Sequence, residues 1–233
     1  MPPLASPFWC YWRYSGYPAT GPLRACCAES LLPLSPRIEA GFYRRRSRAD
    51  VQETAVNFFE TIDLETRAAN LPFLVIGGLA INLYGYSRET ADLDLLICSN
   101  QRSQWIELFS RLDFTVYHDG GNFIQLSSTE QAAWPVDLML VQGKTFHPMF
   151  AASREVDLYG THPRVPSLEH LLALKLHALK NTRLNRFLKD FLDVENLLRI
   201  NKLEIKSEDV RQLFLKYGTV ELYEKVSRAL AGE

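Results

Sequence analysis

The sequence predicts an α/β (α+β) fold in which a mixed half of strands and helices is followed by a C-terminal helical tail. As far as residue 162, short apolar runs bounded by turn residues alternate with segments of helical periodicity. Residues 163–233 show helical periodicity almost throughout. Of the 233 residues, 47% are hydrophobic and 23% are charged, which is ordinary for a globular protein with a sizeable core.

The chain divides into three predicted regions. Residues 1–48 are rich in Pro, Trp, Tyr, Arg and Cys and show neither helical nor strand periodicity. We expect them to be a disordered N-terminal arm, or a spurious one if the start codon is placed too far upstream. Residues 49–162 form the predicted core, and residues 163–233 form the C-terminal helical region.

The predicted elements follow from apolar spacing, caps and turn residues. In chain order, the mixed half contains a helix from about Asp50 to Ile62, strand Phe73–Ile76, helix Leu79–Tyr84, strand Leu93–Ile97, helix Ser103–Leu112, a hairpin of strands Phe114–Tyr117 and Asn122–Leu126, strand Val136–Val141 and a short helix Pro148–Arg154. The tail contains a helix that Ser167 caps and helices Arg186–Ile200, Ser207–Tyr217 and Val220–Leu230.

Two carboxylates in the second predicted strand are candidate metal ligands. Asp92 and Asp94 are two residues apart, so their side chains lie on the same face of a strand, whereas Leu93 and Leu95 point into a core. Neighbouring carboxylates repel one another unless a cation lies between them, and Mg²⁺ is often bound by one or two carboxylates together with substrate phosphates. The alternative is an exposed polar strand face.

A glycine pair precedes these acids and forms a candidate phosphate site. Gly77 and Gly78 follow a predicted strand and precede a predicted helix. Glycine lets a backbone approach a ligand closely, and helix N-termini attract phosphate. Arg88 is a candidate phosphate ligand through its bidentate fork, or it pairs with Glu89 or another carboxylate.

A third acid lies inside an apolar strand. Asp137 is flanked by Val136 and Leu138, and a buried unpaired carboxylate is costly or becomes protonated. If its strand lies beside the Asp92–Asp94 strand, three carboxylates meet at one place. Asp137 would then share a metal or accept the proton of an attacking hydroxyl. The alternative is an aspartate on an edge strand that faces solvent.

The helical tail contains a second polar cluster. Lys175 lies in an otherwise apolar helix, where it either extends to water or reaches an anion. The next helix places four charged residues on one face at spacings of three and four, namely Arg186, Lys189, Asp190 and Asp193. The alternative is an exposed face of ion pairs.

Composition limits the partners. The net charge of −1 does not supply the basic surface that DNA binding needs, so we expect no DNA partner. No apolar run approaches the roughly 18–20 residues of a membrane helix, so we expect no membrane partner. The 4 cysteines do not form a disulfide framework in a chain of this size, which favours a cytoplasmic location. No histidine or cysteine spacing is typical of zinc.

These residues resemble known motifs. The stretches Gly77–Ala80 and Gly85–Asp94 are similar to the first motif of the polymerase-beta-type nucleotidyltransferase superfamily, and their Gly-Gly and Arg-x-Thr features resemble its AbiEii-like branch, which includes type IV toxin–antitoxin toxins. The stretches Leu172–Ala178 and Arg186–Asp193 are similar to the later motifs of that branch. The resemblance spans about residues 73–198 and implies a mixed sheet with flanking helices.

The resemblance implies a role for each matching residue. Metal ligands would be Asp92, Asp94 and Asp137; nucleotide ligands would be Gly77, Gly78 and Lys175, to which the residue pattern itself adds Arg88; catalytic residues would be Asp137, Lys175 and Asp190. It implies Mg²⁺ as cofactor, an NTP as donor, an acceptor in RNA, protein or a small molecule, and a cognate antitoxin as partner. The second glycine replaces the serine that is frequent in the superfamily. The alternatives are an idle nucleotide- or partner-binding module of the same fold and an antibiotic nucleotidyltransferase.

Overall fold

The computed structural model describes residues 48–128, 134–181 and 184–232. Residues 1–47 lie outside this part, so the predicted N-terminal arm is not among the described residues. The described strands are β1 (Phe73–Val75), β2 (Leu93–Cys98), β3 (Phe114–Asp119), β4 (Phe123–Ser128), β5 (Val136–Val141), β6 (Arg154–Glu155) and β7 (Arg164–Val165). The described helices are α1 (Arg48–Ala68), α2 (Gly77–Leu83), α3 (Arg102–Arg111), α4 (Gly143–Ala151), α5 (Leu168–Asn181), α6 (Leu184–Ile200), α7 (Glu208–Tyr217) and α8 (Val220–Ala231).

Five strands form a mixed sheet in the order β1-β2-β5-β4-β3. β2 and β5 are parallel, and every other neighbouring pair in this sheet is antiparallel. β2 is buried along its whole length because strands flank it on both sides and helices cover its faces. The predicted mixed α/β half is confirmed, and the parallel β2–β5 pair is the part of it that positions the site.

The two faces of β2 have different neighbours. Leu93, Leu95 and Ile97 pack into the main core, whereas Leu96 and Cys98 join a smaller cluster that contains Phe146 and Met149 of α4. Asp94 shares the face of Leu96 and Cys98 because strand residues alternate between faces. The smaller cluster therefore covers one end of this face, and Asp94 lies at the other end.

The short helix predicted at Pro148–Arg154 is wrong in its limits. The helix runs instead from Gly143 to Ala151 with Pro148 inside it, and Arg154 belongs to β6. The backbone N–H groups of Thr145 and Phe146 bond the Gln142 carbonyl, which fixes an earlier start. Burial of Phe146 against the sheet stabilises this start, whereas proline alone suggested a later one.

The C-terminal region is helical, as predicted. α5 packs against α6 and α7, and α8 packs against α6 and α7. Side-chain caps define the helix starts: Ser167 accepts from His170 N–H, Ser207 from Val210 N–H and Thr219 from Leu222 N–H. Among the described residues, the helices are all too short or too polar to cross a membrane.

Candidate active site

Three carboxylates converge at one end of the β2–β5 pair. The parallel register sets Asp94 directly beside Asp137, and Asp92 immediately precedes β2. One oxygen of each carboxylate lies within 4.8 Å of the corresponding oxygens of the other two. Asp94 and Asp137 are buried, and Asp92 is partly exposed. The structure thus brings together the three acids that the sequence proposes as metal ligands.

The electrostatics of this cluster favour a bound cation. Burial raises the pKa of Asp94, and the neighbouring Asp92 charge raises it further. Burial also raises the pKa of Asp137 to about 7, with the Asp94 charge as the next contribution. Two buried acids that resist ionisation beside one another form an all-oxygen donor set that suits a divalent metal. The residues therefore fit Mg²⁺.

Gly77 is required by its contact with Asp94. Its φ of +60° lies in the left-handed region, which glycine tolerates, and a Cβ atom built on it would lie 1.8 Å from Oδ2 of Asp94. The next backbone N–H, that of Gly78, donates to the Asp94 carboxylate, which lowers the pKa of that group. The glycine turn therefore lies directly against the acidic strand.

Gly78 is required by Thr90. A Cβ atom at this glycine would lie 2.5 Å from the Thr90 hydroxyl oxygen and 3.1 Å from Nη1 of Arg88. The Thr90 hydroxyl donates to the Asp92 carboxylate at 2.9 Å. Thr90 occupies the space that a side chain at position 78 would need, which explains why glycine stands where serine is frequent in the superfamily that the sequence resembles.

Arg88 makes the carboxylate pairing that the sequence left open, with a partner on α6. Its Nε lies 2.8 Å and its Nη2 3.2 Å from the two oxygens of Asp193, and its Nη1 donates to the Glu89 carbonyl oxygen. The bidentate contact joins residues 105 positions apart. The predicted phosphate contact of Arg88 stays a prediction.

Lys175 and Asp190 belong to the same charged network. Lys175 Nζ lies 2.8 Å from Oδ1 of Asp190 and 2.7 Å from Oδ2 of Asp193, and all three side chains are buried. Nε of Arg186 lies 3.7 Å from Oδ2 of Asp190. The face of α6 that carries these acids is therefore internal rather than an exposed set of ion pairs, whereas Lys189 is exposed.

This network reaches the acidic cluster electrostatically. The charges of Lys175 and Arg186 lower the pKa of Asp94, although burial outweighs them, and the Arg186 charge also acts on Asp137. Lys175 and Arg186 therefore lie within electrostatic range of these acids. The roles of Lys175 and Asp190 in catalysis stay predictions.

Sequence reasoning missed one partner of the site and undervalued another. Gln125 lies opposite Asp137 in the β4–β5 register, and its Nε2 donates to both oxygens of that acid at 3.1 and 3.3 Å. The sequence does contain a sign of this role, because Gln125 is a polar residue between the apolar residues Ile124 and Leu126 of a strand. Asp193 appeared only as one charge on a helix face, although it is the shared partner of Arg88 and Lys175.

Some solved structures have a similar arrangement of elements. An antigenic nucleotidyltransferase-like protein from Paracoccidioides brasiliensis has 17% identity and a TM-score of 0.48, over 80% of this chain and 94% of that chain. The antibiotic-resistance factor ANT(2'')-Ia in complex with adenylyl-2''-tobramycin has 16% identity and a TM-score of 0.49, over 77% and 98%. The lincosamide antibiotic adenylyltransferase LnuA with bound lincomycin has 16% identity and a TM-score of 0.45, over 66% and 98%. No curated protein sequence matches the chain.

A mixed sheet with three carboxylates at the end of a parallel strand pair, beside a Gly-Gly turn, agrees with the nucleotidyltransferase class that the sequence motifs resemble. The family described as nucleotidyl transferase AbiEii toxin, type IV TA system, matches residues 63–232. The chain belongs to this AbiEii nucleotidyltransferase family. The resemblance and the predicted fold class are thereby confirmed.

Proposed function

We propose that this nucleotidyltransferase is Mg²⁺-dependent and transfers a nucleoside monophosphate from an NTP to an acceptor hydroxyl. The observation that carries the proposal is the cluster of Asp92, Asp94 and Asp137, in which one oxygen of each carboxylate lies within 4.8 Å of those of the other two. Three carboxylates this close repel one another when no cation lies between them. A bound metal removes this repulsion and at the same time binds the triphosphate of the NTP.

Each element of the site has a proposed task. Asp92, Asp94 and Asp137 hold Mg²⁺, which, when bound, polarises the phosphoryl oxygens under attack. The Gly77–Gly78 turn lies against Asp94, and its backbone binds the triphosphate tail. Lys175 and Arg88, which share Asp193 as a partner, provide positive charge that offsets the negative charge building up on the leaving group.

Asp137 also suits the proton transfer that the reaction requires. The acceptor oxygen forms a bond to the α-phosphorus, the bond from that phosphorus to the bridging oxygen breaks, and pyrophosphate leaves. The hydroxyl proton goes to the Asp137 carboxylate, which lies beside Asp94 at the same end of the strand pair. Gln125 holds this carboxylate in position through its two contacts.

The test is transfer of label from α-³²P NTPs. Purified protein is incubated with each of the four NTPs, Mg²⁺ and either total RNA or total protein from cells. We expect label to appear in one acceptor fraction with the wild type and to disappear in the Asp92→Asn/Asp94→Asn double variant. Transfer that persists in the double variant would refute the proposal. Nucleotide binding without any transfer would favour an idle binding module.

The family name supports a second, finer proposal, in which the chain is the toxin of a type IV toxin–antitoxin pair. Its acceptor would then be a cellular RNA or protein, its partner a cognate antitoxin, and its location the cytoplasm, which cysteine usage supports. Co-expression separates the outcomes: growth arrest by the wild type, relieved by Asp94→Asn, supports a toxin. Labelling of an aminoglycoside without growth arrest would instead support an antibiotic nucleotidyltransferase.

A further inference from the structure

Asp193 is a buried carboxylate to which the proposed reaction assigns no task. It lies on α6 with a fully buried side chain and accepts from two cations that come from distant parts of the sequence. Arg88 approaches at 2.8 and 3.2 Å, and Lys175 at 2.7 Å. A carboxylate shared by two charged donors fixes the position of both, because leaving either one unpaired in a buried setting is costly.

The Arg88 contact acts on the glycine turn. The side-chain amide of Asn82 in α2 holds the Arg88 backbone, with Nδ2 donating to the Arg88 carbonyl oxygen and Oδ1 accepting from the Arg88 N–H, both at 2.9 Å. Asp193 holds the other end of the same residue. As a result Nη1 of Arg88 lies 3.1 Å from the position that a Cβ atom on Gly78 would occupy. This guanidinium edge is therefore held beside the proposed triphosphate-binding turn.

The Lys175 contact acts on the acidic side of the site. An ammonium group has three N–H donors on a flexible stem. Two of them are directed at Asp190 and Asp193, which sets the direction of the third. The charge of this lysine lowers the pKa of Asp94, so the ammonium group lies within electrostatic range of the proposed metal site.

We propose that Asp193 is a positioning residue for nucleotide binding, which orients Lys175 and Arg88 so that both contact the triphosphate of the NTP. This inference rests on the proposed function. Asp193 acts through these two cations and not by contact with the nucleotide. Substitution by asparagine leaves an amide whose NH₂ group faces a cation, so one of the two cations loses a charge-assisted hydrogen bond to residue 193.

The test compares Asp193→Asn with Glu195→Gln. Glu195 lies on the same helix, and its carboxylate pairs with Arg199 at 2.7 Å, so its conversion to an amide is the matched control. Two dissociation constants are measured for each variant: that of Mn²⁺ alone, and those of the α,β-methylene analogues of ATP, GTP, CTP and UTP in the presence of Mg²⁺. Thermal melting confirms that each variant is folded.

We expect Asp193→Asn to weaken binding of the preferred analogue about tenfold, which is the usual effect of losing a charge-assisted hydrogen bond. Its affinity for Mn²⁺ should change by less than about twofold, because Asp193 acts on the cations and not on the metal ligands. Glu195→Gln should leave both constants at their wild-type values. A merely structural role for Asp193 would weaken binding of Mn²⁺ and nucleotide together.

Three outcomes would overturn the inference. If Asp193→Asn binds the nucleotide with wild-type affinity, the positioning role is refuted but the proposed function is not. The same holds if the variant loses Mn²⁺ binding and nucleotide binding equally. Absence of nucleotide binding by the wild type refutes the proposed function and this inference with it. If Asp193→Asn does not fold, Arg88→Lys takes its place, because it keeps the charge and loses the fork, and the same unequal loss is expected.

Discussion

Asp94 and Asp137 are direct neighbours across the parallel β2–β5 pair, with both side chains buried. They are 43 positions apart in the sequence, and the strand register alone brings them together. Placing two acids side by side in a buried setting opposes folding when both are charged. The free energy of unfolding should therefore depend on the pH and on whether a divalent metal is bound.

Stability without metal should fall as the pH rises. Burial raises the pKa of Asp137 to about 7 in the fold, from an ordinary value near 3.8. A raised carboxyl pKa means that the fold favours the protonated acid, so its contribution to stability is complete below about pH 4 and is lost as the pH rises through about 7. Asp94 acts in the same direction.

Chemical unfolding in EDTA between pH 4 and pH 8 measures this effect. The free energy of unfolding of the wild type should decline more steeply across this interval than that of Asp137→Asn. Added Mg²⁺ should stabilise the wild type increasingly as the pH rises, because metal and protons compete for the same oxygens. Equal slopes for wild type and variant would contradict the pKa assignment.

Gln125 should set the pH at which metal binds. Its two contacts with Asp137 lower the pKa of that acid, although burial outweighs them. Gln125→Ala removes the donor, so the carboxyl pKa rises and Mn²⁺ binding begins at a higher pH. Gln125→Glu adds a like charge and should shift the onset further in the same direction. Titrations with Mn²⁺ at several pH values measure the onset, and an onset that moves to lower pH would contradict this role.

Gly77 should be irreplaceable for a reason that goes beyond its backbone conformation. Gly121 is the matched control: it also has a positive φ, of +80°, but apart from its two chain neighbours no described residue has an atom within 4 Å of a Cβ atom built on it. Gly121→Ala should cost about 1–2 kcal/mol of stability from the left-handed conformation. Gly77→Ala should cost more, because its Cβ atom collides with Oδ2 of Asp94.

The same pair of variants separates stability from metal binding. Gly77→Ala should weaken Mn²⁺ binding because Asp94 has to move, whereas Gly121→Ala should bind Mn²⁺ like the wild type. Urea unfolding and Mn²⁺ titration provide the two measurements. Equal behaviour of the two variants would show that the contact with Asp94 is unimportant.

Lys175 should be needed for stability as well as for nucleotide binding. Lys175→Met leaves the buried acids Asp190 and Asp193 without their shared cation, and breaking a buried ion pair costs about 3–5 kcal/mol. Lys189→Ala, at an exposed position of α6, should change stability by less than about 0.5 kcal/mol. Urea unfolding of both variants tests this, and a Lys175→Met variant as stable as the wild type would contradict the contacts described here.

Much of the fold could be predicted because its signals are local. Val136–Val141 has the predicted limits, and the glycine turn and the helical tail follow from apolar runs and caps. The helix at Pro148 was misplaced because the start depends on burial of Phe146, which is a tertiary contact. β6 and β7 contain two residues each, too few to show a period.

The site could be predicted only in part. The pair Asp92 and Asp94 follows from strand alternation, and an acid in an apolar strand draws attention to Asp137. The partner of Arg88 could not be predicted, because Asp193 lies 105 positions away and looks like any charge on a helix face. Contacts of this kind depend on how the tail packs against the sheet, which residue spacing does not specify.

The central claim is that the three carboxylates bind a divalent metal, and anomalous X-ray scattering from a crystal soaked in Mn²⁺ with an α,β-methylene NTP tests it most directly. The account predicts an anomalous peak within coordination distance, about 2.0–2.3 Å, of oxygens of Asp92, Asp94 and Asp137. A nucleotide bound without such a peak, or a peak away from these three acids, would contradict it.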